Sequence, residues 1–124
     1  MGSTEQSTGS HTRCITADKV QGTAVYSRSG DKLGTIENVV LDKLSGTVAY
    51  AQLAFGGFLG LGHKHHPLPW SMLRYDESQG GYVVNIDEKQ LKDAPSYDDT
   101  APDWSDQRWG KSVHDHYGAA PYWE

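Results

Sequence analysis

One segment constrains the fold of this chain most strongly: residues 47–55 are apolar on both faces when they are drawn as a β-strand. Successive side chains of a strand point to opposite sides. The two faces consist of Thr47, Ala49, Ala51, Leu53 and Phe55 on one side and of Val48, Tyr50, Gln52 and Ala54 on the other. Because both faces are largely apolar, each must be buried against another layer of protein. In a chain of 124 residues, the inner cover is a small barrel or sandwich, and the outer cover is a second layer, the C-terminal tail or another subunit.

Short β-prone runs separated by turn residues fill most of the remaining chain. They lie at 20–27, 34–42, 71–75 and 82–86, with turns at 29–32 and at Gly80-Gly81. The prolines at 67 and 69 favour a strand edge. This pattern predicts a mainly β fold, a small β-barrel of five to six antiparallel strands.

Two helices are expected after the strands. Residues 87–94 carry acids early and Lys92 late, as a short helix prefers, and Pro95 ends it. In the tail, Asp103 is the predicted N-cap of a helix whose stripe is Trp109, Val113 and Tyr117 and whose stop is Gly118. We therefore divide the chain into a flexible leader at 1–15, a barrel domain at 16–97 and a tail at 98–124.

The tail is acidic and rich in aromatic residues. The net charge is −5, and residues 95–124 hold six acidic and two basic side chains. They also hold six of the chain's 13 aromatic residues, which are Tyr97, Trp104, Trp109, Tyr117, Tyr122 and Trp123. Solvated disordered segments contain few aromatics, so this tail is expected to dock on the barrel or on a second subunit. The absence of a basic stripe argues against nucleic-acid binding.

The sequence shows neither a membrane span nor a framework of disulfides. No run approaches the roughly 18 apolar residues of a transmembrane helix, and residues 1–13 lack the apolar core of a signal peptide. The single cysteine, Cys14, suits a reducing compartment. We expect a cytoplasmic protein without an integral membrane segment.

The order and spacing of several motifs resemble the PRC-barrel domain. These motifs are Gly22-Thr23-Ala24-Val25-Tyr26, the run from Gly30 to Asp42, Ser45 to Tyr50, the glycine-rich loop at 56–62, Pro69 to Leu73 and Leu91 to Pro95. The resemblance implies a small, mostly β barrel. Members of that family form the cytoplasmic part of the photosynthetic reaction-centre H subunit and the C-terminal part of a ribosome-maturation factor. Both are docking roles, so the resemblance implies a protein-binding adaptor.

The histidines His63, His65 and His66 form the sharpest local cluster. Imidazoles at i and i+2 of an extended segment point the same way and could share a Zn, Ni or Cu ion. No cysteine cluster completes a four-ligand site, and His114 and His116 would point about 200° apart on a helix. Solvated loop histidines and a pH-sensitive contact are the alternatives.

The loop at 56–62 has the glycines of a phosphate loop without its pattern, since no G-x-G-x-x-G and no Gly-Lys-Ser/Thr follow. Its Phe58, Leu59 and Leu61 either fold over the barrel end or form an apolar contact patch. Neither a nucleophile elbow nor a placed pair of carboxylates supports catalysis. We therefore expect no enzyme activity and no cofactor.

These observations favour a non-enzymatic, self-associating adaptor, a homodimer or larger assembly. The candidate interaction residues are Tyr50, Phe55, Phe58, Leu59, Leu61, Trp104, Trp109, Tyr117 and Trp123. One alternative is a metal- or pH-responsive module that uses His63, His65 and His66. Another is a peripheral cap on a membrane complex.

Overall fold

A computed structural model describes residues 13–56, 63–98 and 100–124. The strands are β1 (Ala24–Tyr26), β2 (Lys32–Asp42), β3 (Thr47–Gly56), β4 (His63–Pro69), β5 (Arg74–Asp76) and β6 (Gly81–Val83). The helices are α1 (Ala17–Val20), α2 (Glu88–Lys92) and α3 (Gln107–Tyr117), with a 3-10 turn at Trp70–Met72.

The strands form one six-stranded sheet in the order β4-β3-β2-β1-β6-β5. Strands β4 and β5 are its two edges and do not pair with each other, so the curled sheet is not strictly closed. The prediction of a mainly β fold is confirmed. The expectation that every strand is antiparallel is wrong for one pair, because β6 returns from the β5–β6 hairpin to lie parallel to β1.

The core lies on the inner face of this sheet. Ala51 and Leu53 of β3 are fully buried there, as the alternation in residues 47–55 predicts. The other buried members of this cluster are Val20, Val25, Leu33, Ile36, Leu68, Val84, Ile86 and Leu91. Helices α1 and α2 therefore each contribute one side chain that closes the core.

The first predicted strand is shorter than residues 20–27. Val20 belongs to α1 and is only 7% exposed. Gly22 follows with φ of 85°, a left-handed conformation that interrupts the extended chain, and the strand begins at Ala24. Helix α1 begins at Ala17, within the domain predicted from residue 16.

Helix α3 begins three residues later than expected. The Oδ1 atom of Asp106 accepts from the backbone N–H groups of Arg108 and Trp109, at 2.9 and 3.4 Å, and so makes Asp106 the N-cap. Asp103 instead accepts from the N–H of Ser105 in the preceding turn. The predicted stop is confirmed, because Gly118 caps the helix with φ of 70°.

Strand β4 is an edge strand, as its two prolines indicate. Its free side is bridged at one point by the chain that follows α2. The N–H of His65 donates to the carbonyl of Tyr97 at 2.9 Å, and the N–H of Tyr97 donates back at 3.1 Å. This bridge fixes where the tail begins to cross the sheet.

Candidate functional site

The outer face of β3 is covered by the tail of the same chain. Tyr50 is 1% exposed and contacts three tail rings, those of Trp104, His114 and Tyr122. The ring centroids are 5.8, 5.4 and 5.5 Å from that of Tyr50, respectively. Burial raises the pKa of Tyr50 to about 12. The sequence left three alternatives for the layer that covers the outer face of β3: a second layer, the C-terminal tail or another subunit. The structure shows the C-terminal tail there.

The aromatic contacts continue in both directions from Tyr50. His65 stacks on Tyr97 with ring centroids 5.0 Å apart, and Tyr97 contacts Trp104 at 6.0 Å. At the other end, His114 contacts Trp123 at 5.7 Å. Trp104, Trp109, Tyr117 and Tyr122 pack with Tyr50 and the fully buried Val113 in a second core cluster. The tail rings thus act as a second hydrophobic core inside one chain.

Most of the predicted interaction residues make contacts within the chain. Tyr50, Trp104, Trp109, Tyr117 and Trp123 all make contacts within the chain. Phe55 packs against the inner core and contacts the ring of His66 at 5.5 Å. Phe58, Leu59 and Leu61 lie outside the described residues.

Two leucines that the sequence reasoning missed are exposed at the hairpin between β2 and β3. Leu41 is 56% exposed and Leu44 is 93% exposed. The register shifts beside Leu41, because Val40 pairs with Tyr50 and Leu41 pairs with Val48, which leaves Ala49 of β3 as an extra residue. Ala49 therefore packs with Tyr50 in the second core cluster, not on the face of Ala51 where strict alternation places it. Strand periodicity could not have indicated that irregularity, although Leu44 stands alone among polar turn residues and offered a signal.

The hairpin leucines line a groove of about 470 Å³, the hairpin groove. Trp104, Tyr122 and Trp123 of the tail line the same groove. Val40 and Ala49 also line it. The groove therefore contains the exposed Leu44 next to aromatic side chains of the tail, which are held in place by their packing on Tyr50.

The histidine cluster is divided between the two faces of β4. The Nδ1 atom of His65 lies 2.6 Å from Oε2 of Glu37, whose Oε1 accepts from Gln52 Nε2 at 3.1 Å. Since a carboxylate only accepts, this geometry places a proton on Nδ1 of His65. His66 points to the inner face and is 1% exposed.

His65 and His66 lie on opposite faces of β4, because adjacent strand residues point to opposite sides. Within residues 13–56, 63–98 and 100–124, no group of three or more His, Cys, Asp or Glu side chains is arranged to hold a metal ion. The side chain of His63 does not belong to the part of the chain that the structure describes. A site shared by His63 and His65 remains a prediction.

The buried position of His66 has an electrostatic consequence. Burial, with smaller electrostatic contributions from Lys64, His116 and His65, lowers its pKa to about 4. Neither ring nitrogen has a hydrogen-bond partner among the described residues. His66 is therefore held neutral in the folded chain near pH 7.

The two histidines of α3 diverge, as the helical period predicts. His114 is 1% exposed and faces Tyr50, and burial lowers its pKa. His116 turns toward α2, where its Nε2 atom lies 2.8 Å from the carbonyl oxygen of Gln90. They cannot act as two ligands of one ion in this arrangement.

Comparison with known proteins agrees with the architecture. The family model of the PRC-barrel domain matches residues 15–91, more than half of the chain. The six-stranded β-sheet with its short helices is consistent with that match. The chain belongs to the PRC-barrel domain family.

One similar solved structure is that of a putative 16S ribosomal RNA processing protein, RimM, from Pseudomonas aeruginosa. It is 17% identical, with a TM-score of 0.42, and the match covers 66% of this chain and 49% of that one. This chain thus spans about half the length of that relative. A search of curated proteins finds no match. Within the described residues, no helix has the length and apolar character needed to cross a membrane.

Proposed function

We propose that this protein is a non-enzymatic protein-binding module that associates with a second copy through the hairpin groove. The observation that carries the proposal is the pair of exposed leucines, Leu41 and Leu44, beside an aromatic wall. A turn leucine that is 93% exposed gains nothing from its own fold. Its burial against a partner would contribute about 1.5–3 kcal/mol.

The geometry suits a symmetric pair. A twofold dimer uses the same patch on both copies, so a protruding group and its receiving groove must lie next to each other. The exposed Leu44 lines the hairpin groove together with Trp104 and Tyr122. In the proposed dimer, Leu44 of each copy inserts against these rings of its partner.

The conspicuous carboxylates have structural roles that favour a binding function over catalysis. Asp76 accepts from the side chains of Gln79 and Ser78 and from the backbone N–H of Ser78. These hydrogen bonds lower its pKa. Asp42 likewise accepts from the N–H of Leu44, and its pKa is also lowered. Each carboxylate holds a turn in its ionised form.

Sedimentation velocity over a range of concentrations tests the proposal. The native chain should form a dimer at tens of micromolar, and the double variant Leu41→Asp/Leu44→Asp should remain monomeric with an unchanged circular dichroism spectrum. Ile15→Asp is the matched control, because Ile15 is an equally apolar residue, 53% exposed, outside the groove. A monomeric native chain, or a dimer that survives the double substitution, contradicts the proposal. A dimer lost on adding a chelator would instead assign association to a metal.

A further inference from the structure

A second groove lies across the ends of three neighbouring strands. Strands β1 and β6 run parallel, with Tyr26 beside Val83, so the residues that follow them emerge at the same end of the sheet. Arg28 follows β1, and Asn85 follows β6. Strand β5 is antiparallel to β6 and begins at that end with Arg74, which is opposite Val83.

These side chains share the outer face of the sheet. Ser27 and Val84 are 3% and 1% exposed and point inward. Their neighbours Arg28, Val83 and Asn85 therefore point outward, by the alternation of extended chain. Together with Arg74 and Met72 they line a groove of about 400 Å³, the arginine groove.

The two guanidinium groups in the arginine groove carry charge that no acid of the described chain neutralises. No carboxylate lies within ion-pair distance of Arg28 or Arg74 in residues 13–56, 63–98 and 100–124. Several cations elsewhere are paired: Lys64 with Asp98, Lys89 with Asp93, Lys92 with Glu88, Arg108 with Asp106 and Lys111 with Asp115. Within the part of the chain that the structure describes, the Nη1 atom of Arg28 donates to Oδ1 of Asn85, at 3.5 Å.

We propose that the arginine groove binds a side-chain carboxylate of an acidic peptide segment from a protein partner. A guanidinium presents donors in a planar fork that matches a carboxylate in two parallel hydrogen bonds. Met72 and Val83 provide apolar surface for the methylene groups that carry that carboxylate.

The charge of the whole chain disfavours a nucleic-acid backbone at this site. Repeated phosphates require a row of cations, whereas this groove has two arginines on a chain of net charge −5. An acidic peptide needs only one or two local contacts. The arginine groove shares no lining residue with the hairpin groove, so partner binding and self-association are separable.

A titration followed by NMR tests the proposal at each arginine. The chain has four arginines, so its side-chain Nε–H spectrum contains four signals, of which Arg13 and Arg108 serve as internal controls. The probe is a capped hexapeptide with three glutamates separated by alanine and leucine, and the same peptide with glutamines is the neutral control. The chain carries Leu41→Asp/Leu44→Asp, so that self-association does not interfere.

We expect saturable shifts of the Arg28 and Arg74 signals with the glutamate peptide and none with the glutamine peptide. The double variant Arg28→Gln/Arg74→Gln should bind at least about tenfold more weakly, whereas Arg108→Gln should bind unchanged, and added salt should weaken the native interaction. Equal, unsaturable shifts of all four arginines would overturn the proposal. Saturation by inorganic phosphate at a lower concentration than the peptide would overturn the assignment to carboxylate.

Discussion

The ring of Tyr50, on the outer face of β3, lies 5.4 Å from the ring of His114 on α3, and each residue is 1% exposed. The first belongs to the barrel and the second to the C-terminal tail. Their contact makes the tail an integral layer of the fold. The aromatic residues that drew attention in the sequence therefore make stabilising contacts within the chain itself.

Replacing Tyr50 should weaken the whole fold. We expect Tyr50→Ala to lower the free energy of unfolding by about 3 kcal/mol, because it removes a large buried ring and leaves a cavity. Tyr75→Ala is the matched control; Tyr75 is 50% exposed, and its loss should cost less than about 1 kcal/mol. Urea unfolding monitored by tryptophan fluorescence measures both. Equal losses in the two variants would show that the tail is not packed as described.

Gly34 allows β2 and β3 to approach closely. A Cβ atom at this position would lie 2.1 Å from the carbonyl oxygen of Ala54. We therefore expect Gly34→Ala to destabilise the chain by about 3 kcal/mol, since backbone must shift to relieve the overlap. Adding Ala54→Gly should restore nothing, because the overlap is with the backbone of Ala54. Rescue by that second change, measured by thermal unfolding, would contradict this reading.

The stability of the chain should fall as the pH drops below about 6.5. In the unfolded chain His66 takes up a proton with the ordinary histidine pKa of about 6.5, whereas the folded chain holds its pKa near 4. Between these values the unfolded state binds more protons, so stability rises with pH and is lost as the pH falls. At pH 5 this loss amounts to about 2 kcal/mol.

The variant His66→Leu isolates this effect. It should remove about 2 kcal/mol from the difference in unfolding free energy between pH 7.5 and pH 5, while the other titrating groups contribute equally to both proteins. Urea titrations at the two pH values measure that difference. An identical pH dependence in the native chain and the variant would place His66 in a solvated position.

The contact between His65 and Glu37 fixes a tautomer. Because Nδ1 donates to the Glu37 carboxylate at 2.6 Å, the neutral imidazole should carry its proton on Nδ1. Long-range ¹H–¹⁵N spectra distinguish the two ring nitrogens. Glu37→Gln should shift the population toward the other tautomer and destabilise the chain by about 1 kcal/mol. A native spectrum with the proton on Nε2 would contradict the contact.

Local patterns were sufficient to predict much of the fold. The alternation of Ala51 and Leu53 with Tyr50 predicted that β3 is buried on both faces, and the aromatic tail predicted a docked helix ending at Gly118. The position of its N-cap could not be read, because Asp103 and Asp106 are chemically equivalent and only packing selects between them. The exposed Leu41 lies beside the register shift at Ala49, which hydrophobic periodicity does not indicate.

The arginine groove could not be predicted from the sequence, for a different reason. Arg28 is far from Arg74 and Asn85 along the chain, and the parallel pairing of β1 with β6 brings it beside them. Hydrophobic periodicity identifies strands but does not determine which strands become neighbours. The histidine cluster shows the opposite case: His65 and His66 are adjacent in sequence, but their side chains lie on opposite faces of the sheet.

The most direct test of self-association is an isotope-filtered NOE experiment on a mixture of labelled and unlabelled copies. The protein concentration should be about 0.5 mM, well above a dissociation constant in the micromolar range. Under these conditions we predict intermolecular NOEs between the Leu44 methyl groups of one copy and the Trp104 and Tyr122 rings of the other. These signals should vanish when both copies carry Leu44→Asp. A sample without intermolecular NOEs at Leu44 would contradict the proposed dimer.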